Sequence, residues 1–549
     1  MPEYYIGIDL GTTNTIVSVF KRGKIETLMV DGDPICPSVV YFSEKDGIVA
    51  GKNAKRRMLI DPERTIASVK RKMGNLKFRY KLNGKEYGPD EISSFILKKV
   101  KEEAERELGA AVRKAVITVP AYFNDDQRAQ TKRAAEMAGL EVLRLLSEPT
   151  AAALAYGVNQ GKDQTIAVYD LGGGTFDISI LEVKGNTFTV KAIGGNTKLG
   201  GDDFDRALMN YVEQEFLRTT GIDLDEEPNG PELRIALQRL KETCQACKEE
   251  LSVADEAAVA IPNFFKGKHL NVPVSRLKFV ELIAPCIAKT IAATKGTLKK
   301  AGLGPGDIDR VIMVGGSTLI PYVKEQIART IKDPYTADNV LEMVAKGAAF
   351  MAAQYMAIHD KGDEMIKEII KVSSLRELND KIIEISAYRI GIATLGVVPC
   401  GEAHRFATSR DAGNGVSLVT GLFSEVVELG RKIPLTAKRE GYTTVSNNQD
   451  CVNIEVYRTA EAAGQVCESC KDTGMQFLGE FKLSRIPPAP AGVPQISVTM
   501  EIDENGILRV EAEEKASMGK GEKSFHLWVQ REIEKLEEED GDCWANASW

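Results

Sequence analysis

The chain has 549 residues, of which 43% are hydrophobic and 27% charged, with a formal net charge of -8. This composition is ordinary for a soluble globular protein, and at about 150 residues per domain the length predicts three or four globular units. The negative charge and the absence of a long basic stripe argue against a nucleic-acid-binding protein. No apolar run reaches the roughly eighteen residues needed to cross a bilayer, and residues 1–5 lead into a predicted strand without a signal peptide. A cytoplasmic protein is therefore expected.

The cysteines are dispersed along the chain, which favours a reducing compartment over a disulfide framework. Cys244 and Cys247 are three residues apart in a helical pattern, so core packing is the favoured role. Cys467 and Cys470, in QVCESCKDTG, could be soft zinc ligands in a turn. A metal there is the less favoured alternative, because no other paired ligands occur at a zinc-ribbon spacing.

Residues 6–19, IGIDLGTTNTIVSV, predict two strands joined by a tight turn, with Asp9 near the end of the first strand. Several further short strands are expected up to residue 50. Lys70, in IASVKRKMG, is either a solvated surface charge or a lysine that faces a phosphate. Residues 90–108 have helical periodicity. Residues 115–157 then predict strand, turn, helix, strand and helix, which is the order of an α/β lobe with a mixed sheet.

Residues 168–180, VYDLGGGTFDISI, predict a second hairpin of the same kind, with Asp170 before the turn and Asp177 after it. Glycines 172 to 174 have no Cβ, so their amides can approach an anion closely, and Asp170 is a hard oxygen donor suited to magnesium. The alternative is an ordinary glycine turn. The copy in the first hairpin, a domain length away, favours a nucleotide held between two matching lobes.

The second lobe continues with LGGDDFD at residues 199–205, interpreted as an acidic helix start. Residues 206–300 are predicted to be mainly helical, with a strand insert at 257–273. Residues 311–321, VIMVGGSTLIP, predict a buried strand, a double glycine, and a helix that begins at Ser317 or Thr318. The double glycine would let a nucleotide base and ribose press against the backbone.

Several motifs occur in the order typical of one family: IGIDLGTTNT, VPAYFNDDQR, EPTAAALAYG, VYDLGGGTFDIS, LGGDDFD and VGGSTLIP. The sequence closely resembles the DnaK-type heat-shock chaperones of the actin-like ATPase superfamily, strongly over residues 4–350 and more loosely over 385–530. The resemblance implies an α/β, actin-like (ribonuclease-H-like), two-lobed ATPase domain followed by a β-sandwich peptide-binding domain. The implied parts are an ATPase domain at 1–360, a linker at 361–386, a β-sandwich at 387–530, and an acidic tail at 531–549.

The resemblance also implies a site for ATP or ADP with Mg²⁺. By matching motifs, Lys70, Glu148, Asp170 and Thr175 would be the catalytic residues, and Asp9 and Asp170 would hold magnesium through its waters. The implied reaction is in-line attack of water on ATP. The residues implied to bind the nucleotide are Gly11, Thr12, Thr13, Asn14, Gly172, Gly173, Gly174, Gly200, Gly201, Gln245, Lys248, Ser252, Gly315, Gly316 and Ser317. The alternative for the charged residues is a role as salt-bridge partners.

The sequence departs from the family around the base and in the linker. Gln245 stands where the family usually has Glu, Leu319 where it has an arginine that stacks on the base, and Val340-Leu341 where it has Pro-Asp. We therefore expect intact phosphate chemistry with altered, weaker adenine binding. In the linker the family's leucine run is reduced to DKIIEIS at residues 380–386, so domain coupling is the weakest inference.

Other implied residues relay the nucleotide state and bind peptide. Pro120 and Arg128 match the relay positions, and Arg144 matches a position used toward J-domain partners, although Ser147 replaces the usual Asn. The positions implied to line a cleft for an extended apolar peptide are Ile392, Leu395, Tyr442, Val445, Val452 and Ile454. Their alternative role is sandwich core.

Residues 401–432 form an insertion that the family lacks, and residues 531–549 form an acidic tail without a helical lid, which predicts fast peptide exchange. The sequence thus predicts an ATP-dependent chaperone for unfolded or extended polypeptides, with a J-domain co-chaperone and a nucleotide exchange factor as further candidate partners, and no nucleic acid or membrane. An actin-like ATPase scaffold, which would leave the β-rich C-terminal part idle, and a small-molecule kinase, which would need a catalytic Asp in a sugar pocket, are the alternatives.

Overall fold

The structure is a computed structural model, and the chain divides into two compact units at the Ile385/Ser386 boundary. The described residues are 4–45, 47–157, 163–185, 187–335, 339–359, 382–406, 408–463 and 467–515. The charged stretch from residue 361 and the acidic tail at 531–549 lie outside them. Within the described residues, no helix is both long and apolar enough to cross a membrane.

The first lobe of the N-terminal unit is built on a mixed sheet. Its elements are β1 (Tyr4–Leu10), β2 (Asn14–Lys21), β3 (Lys24–Thr27), β4 (Cys36–Pro37), β5 (Val39–Phe42), β6 (Ile48–Ala50), α1 (Lys52–Lys55), β7 (Thr65–Ala67), β8 (Tyr80–Leu82), β9 (Lys85–Tyr87), α2 (Pro89–Leu108), β10 (Val112–Val119), α3 (Asp125–Met137), β11 (Glu141–Ser147) and α4 (Glu148–Gly157). The order is β11-β10-β1-β2-β3, with β1 parallel to β10 and antiparallel to β2. The predicted hairpin and α/β order are confirmed.

The second lobe repeats this plan. Its elements are β12 (Gln164–Leu171), β13 (Phe176–Lys184), β14 (Thr187–Asn196), α5 (Gly201–Thr220), α6 (Pro231–Glu250), β15 (Glu256–Phe265), β16 (Lys268–Ser275), α7 (Arg276–Lys300), β17 (Arg310–Val314), α8 (Pro321–Thr330) and β18 (Ile382–Ile385). Helix α9 (Met343–His359) follows α8 in the chain but packs against the first lobe, on β1, β2 and α4. The order β17-β12-β13-β14 is mixed, and β18 pairs with β14 in parallel. Cys244 and Cys247 are buried in the core of this lobe, as predicted.

One predicted boundary is wrong. No α-helix begins at Ser317 or Thr318; residues 316–319 form a single 3₁₀ turn, and α8 begins at Pro321. Proline fits the first position of a helix, where its missing N–H leaves no hydrogen bond unmade. The double glycine is therefore followed by a tight turn, which keeps Ser317 close to the strand end.

Helix α9 packs against β1 and α4 of the first lobe by close backbone contact. A Cβ on Gly7 of β1 would come within 2.0 Å of the backbone nitrogen of Ala349, and a Cβ on Gly347 within 1.8 Å of the carbonyl oxygen of Ala151 in α4. Only glycine fits at such distances. The packing of α9 thus fixes the position of β1, and of α4 with its first residue, Glu148.

The C-terminal unit is a β-sandwich, as predicted. Its strands are β19 (Arg389–Pro399), β20 (Thr408–Gly413), β21 (Val416–Val427), β22 (Lys432–Ile433), β23 (Leu435–Tyr442), β24 (Cys451–Thr459), β25 (Gln476–Ser484), β26 (Ile496–Ile502) and β27 (Leu508–Glu514). One sheet has the order β20-β21-β19-β24-β25 and the other β23-β26-β27. Inward-facing residues of both sheets, such as Val456 and Val498, form the core.

The insertion at residues 401–432 lengthens the β19–β21 hairpin and adds β20 as an edge strand. It has a small core of its own, formed by Val398, Ala403, Phe406 and Val419. Cys467 packs against that core. Cys470, three residues later in the chain, is half-buried. Among the residues that the structure describes, no group of three or more His, Cys, Asp or Glu side chains is placed to hold a metal ion.

We expect Gly347→Ala to destabilise the N-terminal unit by about 2–4 kcal/mol, because the added methyl collides with backbone that cannot move independently. Gly296→Ala in α7 is the matched control, since nothing lies within 4 Å of its Cβ position. That control should stabilise by about 0.4–1 kcal/mol. Urea unfolding of both variants checks this, and equal effects would contradict the packing argument.

Candidate active site

The turns of the two glycine-containing hairpins meet at one cleft between the lobes. A Cβ on Gly173 would lie 2.0 Å from Thr13 Oγ1, and one on Gly174 would lie 2.6 Å from Thr12 Cγ2. The cleft is lined by Asp9, Gly11, Thr12, Thr13, Asn14, Ile16, Lys70, Glu148, Asp170, Gly172, Gly173, Thr175, Gly315, Gly316, Val340, Leu341 and Val344. The structure therefore brings most of the sequence-predicted site residues together.

The second turn is closed by its own backbone and by the start of α5. The amide of Gly172 donates to Thr175 O at 3.1 Å, and the amide of Gly201 donates to Gly172 O at 2.9 Å. A Cβ on Gly200 would lie 2.7 Å from the backbone of Gly173. Gly200 and Gly201 thus support the turn, because their lack of side chains lets the helix terminus press against it.

Two more predicted residues brace this turn from outside the cleft. Ser317 Oγ donates to Gly172 O at 2.9 Å. Lys248 Nζ lies 2.7 Å from Asp205 Oδ1 and 3.4 Å from Gly201 O. The acidic start of α5 is therefore partly neutralised by a lysine of α6, and the turn is held on two sides.

The base end of the cleft is apolar. Gly315 has φ +86°, and a Cβ there would lie 2.4 Å from Leu171 O. Leu341 Cδ2 lies 3.5 Å from the Cβ position of Gly316. Leu319 is half exposed to solvent. Neither leucine can supply the charge that an arginine would offer to a ring.

Two residues predicted to bind the nucleotide lie farther along α6 or just after it. Gln245 Nε2 donates to Glu249 at 2.9 Å on an exposed face of the helix. Ser252 Oγ donates to Lys248 O at 3.3 Å. Both side chains are engaged with this chain's own groups.

A buried ion pair stands at the floor of the cleft. Lys70 Nζ donates to Glu148 Oε1 at 2.6 Å, and both side chains are almost fully buried. Burial alone would lower the pKa of Lys70, but the carboxylates of Glu148, Asp9 and Asp170 raise it above its usual value. Lys70 is therefore charged and faces several acids, which rules out the solvated-surface interpretation.

The carboxyl groups that face Lys70 outnumber it, and the site disfavours their charged forms. Burial and then the charge of Glu148 raise the pKa of Asp9 to about 7. Burial, with Glu148 and Asp177, raises the pKa of Asp170 well above its usual value. Buried carboxylates with too little cation nearby are stabilised by a divalent ion.

Magnesium fits this environment. Mg²⁺ prefers hard oxygen ligands and commonly keeps several waters, so one or two carboxylates such as Asp9 and Asp170 suffice to hold it. Thr118 Oγ1 donates to Asp9 Oδ1 at 3.1 Å, which orients that carboxylate.

Sequence analysis noted Asp177 but gave it no role. It is paired across the hairpin with Asp170, so both side chains lie on the same face of the sheet. Its Oδ1 accepts a hydrogen bond from the amide of Tyr122 at 3.0 Å, and burial followed by the charge of Glu148 raises its pKa to about 7. The signal in the sequence was a second acid inside a buried strand.

The segment that carries the predicted relay residues lies beside Asp177. Pro120 directly follows β10, and Arg128 is buried, with its guanidinium donating to the carbonyl of Phe123 at 3.1 Å. The charge of Arg128 also lowers the pKa of Asp177, against the effects of burial and Glu148. The 120–128 segment is thus in direct contact with the second hairpin.

In the C-terminal unit, the predicted peptide-binding residues divide by burial. Ile392 and Ile454 belong to the sandwich core, which is the alternative role considered for them. Tyr442 and Val452 are partly buried against that core. Leu395 and Val445 are 43% and 59% exposed, so their side chains are available to a ligand.

Comparison with known proteins agrees with the motifs and the geometry. The family model described as Hsp70 protein matches residues 5–412 and 364–542. The chaperone protein DnaK of Thermotoga neapolitana is 40% identical over 548 residues, which is 98% of this chain and 82% of that protein. The resemblance inferred from the motifs is confirmed. The chain belongs to the Hsp70 family, whose members are ATP-dependent chaperones that pair an actin-like ATPase domain using ATP and Mg²⁺ with a β-sandwich domain for extended peptides.

Proposed function

We propose that ATP hydrolysis takes place in the cleft between the two lobes and controls the binding of extended polypeptides by the C-terminal β-sandwich. The observation that carries this proposal is the meeting of two glycine–threonine turns around the buried pair of Lys70 and Glu148. Residues 1–360 would act as the ATPase domain, 361–386 as the linker, and 387–530 as the peptide-binding domain.

Each group of residues in the cleft has its own role in the proposed hydrolysis. Residues of both turns line the cleft, and their free backbone amides would bind phosphate oxygens through their partial positive charge. Lys70 and Glu148 orient the attacking water, and Lys70 stabilises negative charge on the transferring phosphoryl group. The hydroxyl of Thr175 lies at the same turn. Magnesium, held by Asp9 and Asp170, supplies charge neutralisation for the phosphate oxygens. The products are ADP and phosphate.

Contacts of the strand before the C-terminal unit support a role for it in coupling hydrolysis to peptide binding. In β18, Ile382 and Ile383 pair with β14, and Glu384 is buried. Glu384 Oε1 accepts hydrogen bonds from the amide of Ser147 at 3.1 Å and from Thr150 Oγ1 at 3.4 Å. These residues flank Glu148, so docking of the linker strand bears directly on the catalytic glutamate. Such differential contact is what allosteric coupling requires.

Membership of the Hsp70 family supports proposals for the clients, the partners and the location of the chain. We propose unfolded or extended polypeptides as clients, and a J-domain co-chaperone and a nucleotide exchange factor as helpers. Arg144, kept at the J-domain position, is fully buried, so it would act on such a partner by shaping β11. The net charge of -8 and the dispersed cysteines support a cytoplasmic location.

We expect Lys70→Ala and Thr175→Ala to lower the single-turnover rate of ATP hydrolysis by about 10²–10³-fold while ATP affinity changes by less than about tenfold, because these groups act on the transition state. Lys72→Ala is the control, since Lys72 is an exposed lysine of the same turn. Unchanged single-turnover chemistry in either variant would remove that residue from the mechanism.

We expect an unfolded apolar polypeptide to raise the steady-state ATPase rate of the full chain by several-fold, and Glu384→Ala to abolish the increase, since it removes the contacts to Ser147 and Thr150. Glu440→Ala, an exposed glutamate of the β-sandwich, is the control. ATP-dependent pelleting without stimulation by polypeptide would instead favour a filament-forming scaffold, and release of ADP that depends on added glucose would favour a kinase.

The apolar base end of the cleft supports weakened adenine binding. We expect Leu319→Arg to tighten ATP binding by about 3–10-fold, because a guanidinium over the base gains cation–π energy. Leu277→Arg, at an exposed leucine elsewhere on the second lobe, should leave affinity unchanged. Titration calorimetry measures both, and no gain for the Leu319 variant would contradict the altered-base explanation.

A further inference from the structure

The double glycine after β17 connects the phosphate end of the cleft to its base end. A Cβ on Gly315 would lie 2.8 Å from Asp170 Oδ1, so this residue borders an acid proposed to hold magnesium. The Cβ position of the next residue, Gly316, lies 3.5 Å from Leu341 Cδ2. A nucleotide whose phosphates contact the two turns would therefore extend over the double glycine toward Leu341.

The side chains that line the cleft divide by polarity. The polar ones belong to the two hairpins, to Lys70 and to Glu148, which form the phosphate end. The remaining side chains of the lining are aliphatic, namely Ile16, Val340, Leu341 and Val344. Aliphatic groups pack against a planar ring but neither donate nor accept hydrogen bonds. Among the lining residues that the structure describes, no side chain at the base end can therefore distinguish one base from another by hydrogen bonding.

The polar groups that follow the double glycine are engaged within the chain. Ser317 Oγ donates to Gly172 O at 2.9 Å, and Thr318 Oγ1 donates to Gly315 O at 2.6 Å. The amide of Thr318 donates to the same carbonyl at 3.1 Å, so both lone pairs of Gly315 O are used. Both hydroxyl side chains are almost fully buried. This turn therefore directs its side-chain polar groups inward and not toward a base.

The polar residues next to the aliphatic wall are paired in the same way. Asn339 Nδ2 donates to Glu342 Oε1. Glu342 Oε2 accepts a hydrogen bond from Thr27 Oγ1 at 2.7 Å and lies 2.8 Å from Lys346 Nζ. The predicted nucleotide-binding side chains in α6 and just after it also contact the chain's own groups, as described above. Each of these polar side chains thus has a partner that a base would have to displace.

The kind of contact at the base end sets how well bases can be told apart. A site that hydrogen-bonds a polar group of its substrate rejects an analogue without that group by about 10⁴–10⁵-fold. An apolar pocket separates related groups by only about 10–200-fold. Phosphates and magnesium are the same in every nucleoside triphosphate. The directional contacts of this cleft therefore fall on the part of the nucleotide that does not vary.

We propose that the cleft binds and hydrolyses nucleoside triphosphates with little selectivity among bases, so that GTP and CTP are substrates as well as ATP, and that Leu341 faces the base. The inference rests on the proposed function and deepens it, because it takes the same cleft as the nucleotide site. The reaction is the same for each base: water attacks the terminal phosphorus, and the bond from that phosphorus to the bridging oxygen breaks. The products are the nucleoside diphosphate, inorganic phosphate and a proton.

Competition against a ribose-labelled fluorescent ADP analogue, on the full chain with Mg²⁺, tests the proposal. GDP and CDP should displace the analogue with dissociation constants within about tenfold of that of ADP. The value of kcat/KM for GTP should likewise lie within about tenfold of the value for ATP. Lys70→Ala should lower the hydrolysis of GTP and of ATP together, which distinguishes turnover in this cleft from a contaminating GTPase.

A substitution at Leu341 tests its place at the base. Leu341→Asn puts a donor and an acceptor together at the base end, and an Asn amide can pair with adenine through both. The variant should raise the preference for ADP over CDP by about tenfold, while its affinity for inorganic triphosphate stays unchanged. Leu277→Asn, at an exposed leucine elsewhere on the second lobe, is the matched control and should leave the preference unchanged. A Leu341 variant with the same preference as this control would overturn the assignment of Leu341 to the base.

The outcomes separate this inference from the function on which it rests. Dissociation constants for GDP or CDP more than about tenfold above that of ADP would overturn the relaxed selectivity. A chain that binds and hydrolyses ATP but does not hydrolyse GTP or CTP would overturn the inference alone. Failure of the unmodified chain to bind any of the nucleotides would overturn the proposed function and the inference together.

Discussion

The buried contact between Lys70 and Glu148 is the interaction on which the cleft depends. Glu148 is the first residue of α4, where a helix N-terminus favours negative charge, and Lys70 projects from a separate turn to meet it. Loss of either partner would leave an unpaired buried charge, at a cost of about 3–5 kcal/mol. Asp9 and Asp170 face the same lysine, so the floor of the cleft has more carboxyl groups than cations, and the pKa values of both aspartates are raised. A magnesium ion that accompanies a polyphosphate would favour the charged forms of these carboxyl groups.

Close backbone packing gives that charge arrangement its rigidity. Gly347 and Gly7 let α9 lie directly on α4 and β1, so the two elements that carry Glu148 and Asp9 cannot shift separately. Gly200 and Gly201 do the same for the second turn. Glycines at these close contacts therefore fix the positions of the charged groups in the cleft. Charged groups held in fixed positions are what electrostatic preorganisation requires.

Much of this was predictable from local pattern. Both hairpins, the α/β order of the first lobe, and the burial of Cys244 and Cys247 follow from alternation, glycine turns and helical spacing. The helix start near Ser317 was misplaced, because a short 3₁₀ turn and an α-helix have similar sequence signals. Some contacts join residues that are far apart in the sequence, such as Glu384 with Ser147 and Arg234 with Glu63. Such contacts leave no local pattern in the sequence, so only the structure reveals them. Asp177 was predictable only in part: the sequence predicted its strand, but not the hydrogen bond that it accepts from the amide of Tyr122.

The insertion in the C-terminal unit has an apolar interior separate from that of the sandwich. Val398 and Val419 contribute to that small core, whereas the main core takes Ile390, Ile392 and Val427 from the opposite ends of the same two strands. Because this hairpin tip buries its own apolar side chains, its packing does not depend on the core between the two sheets. A change in the length or sequence of this tip should therefore leave the packing between the two sheets intact.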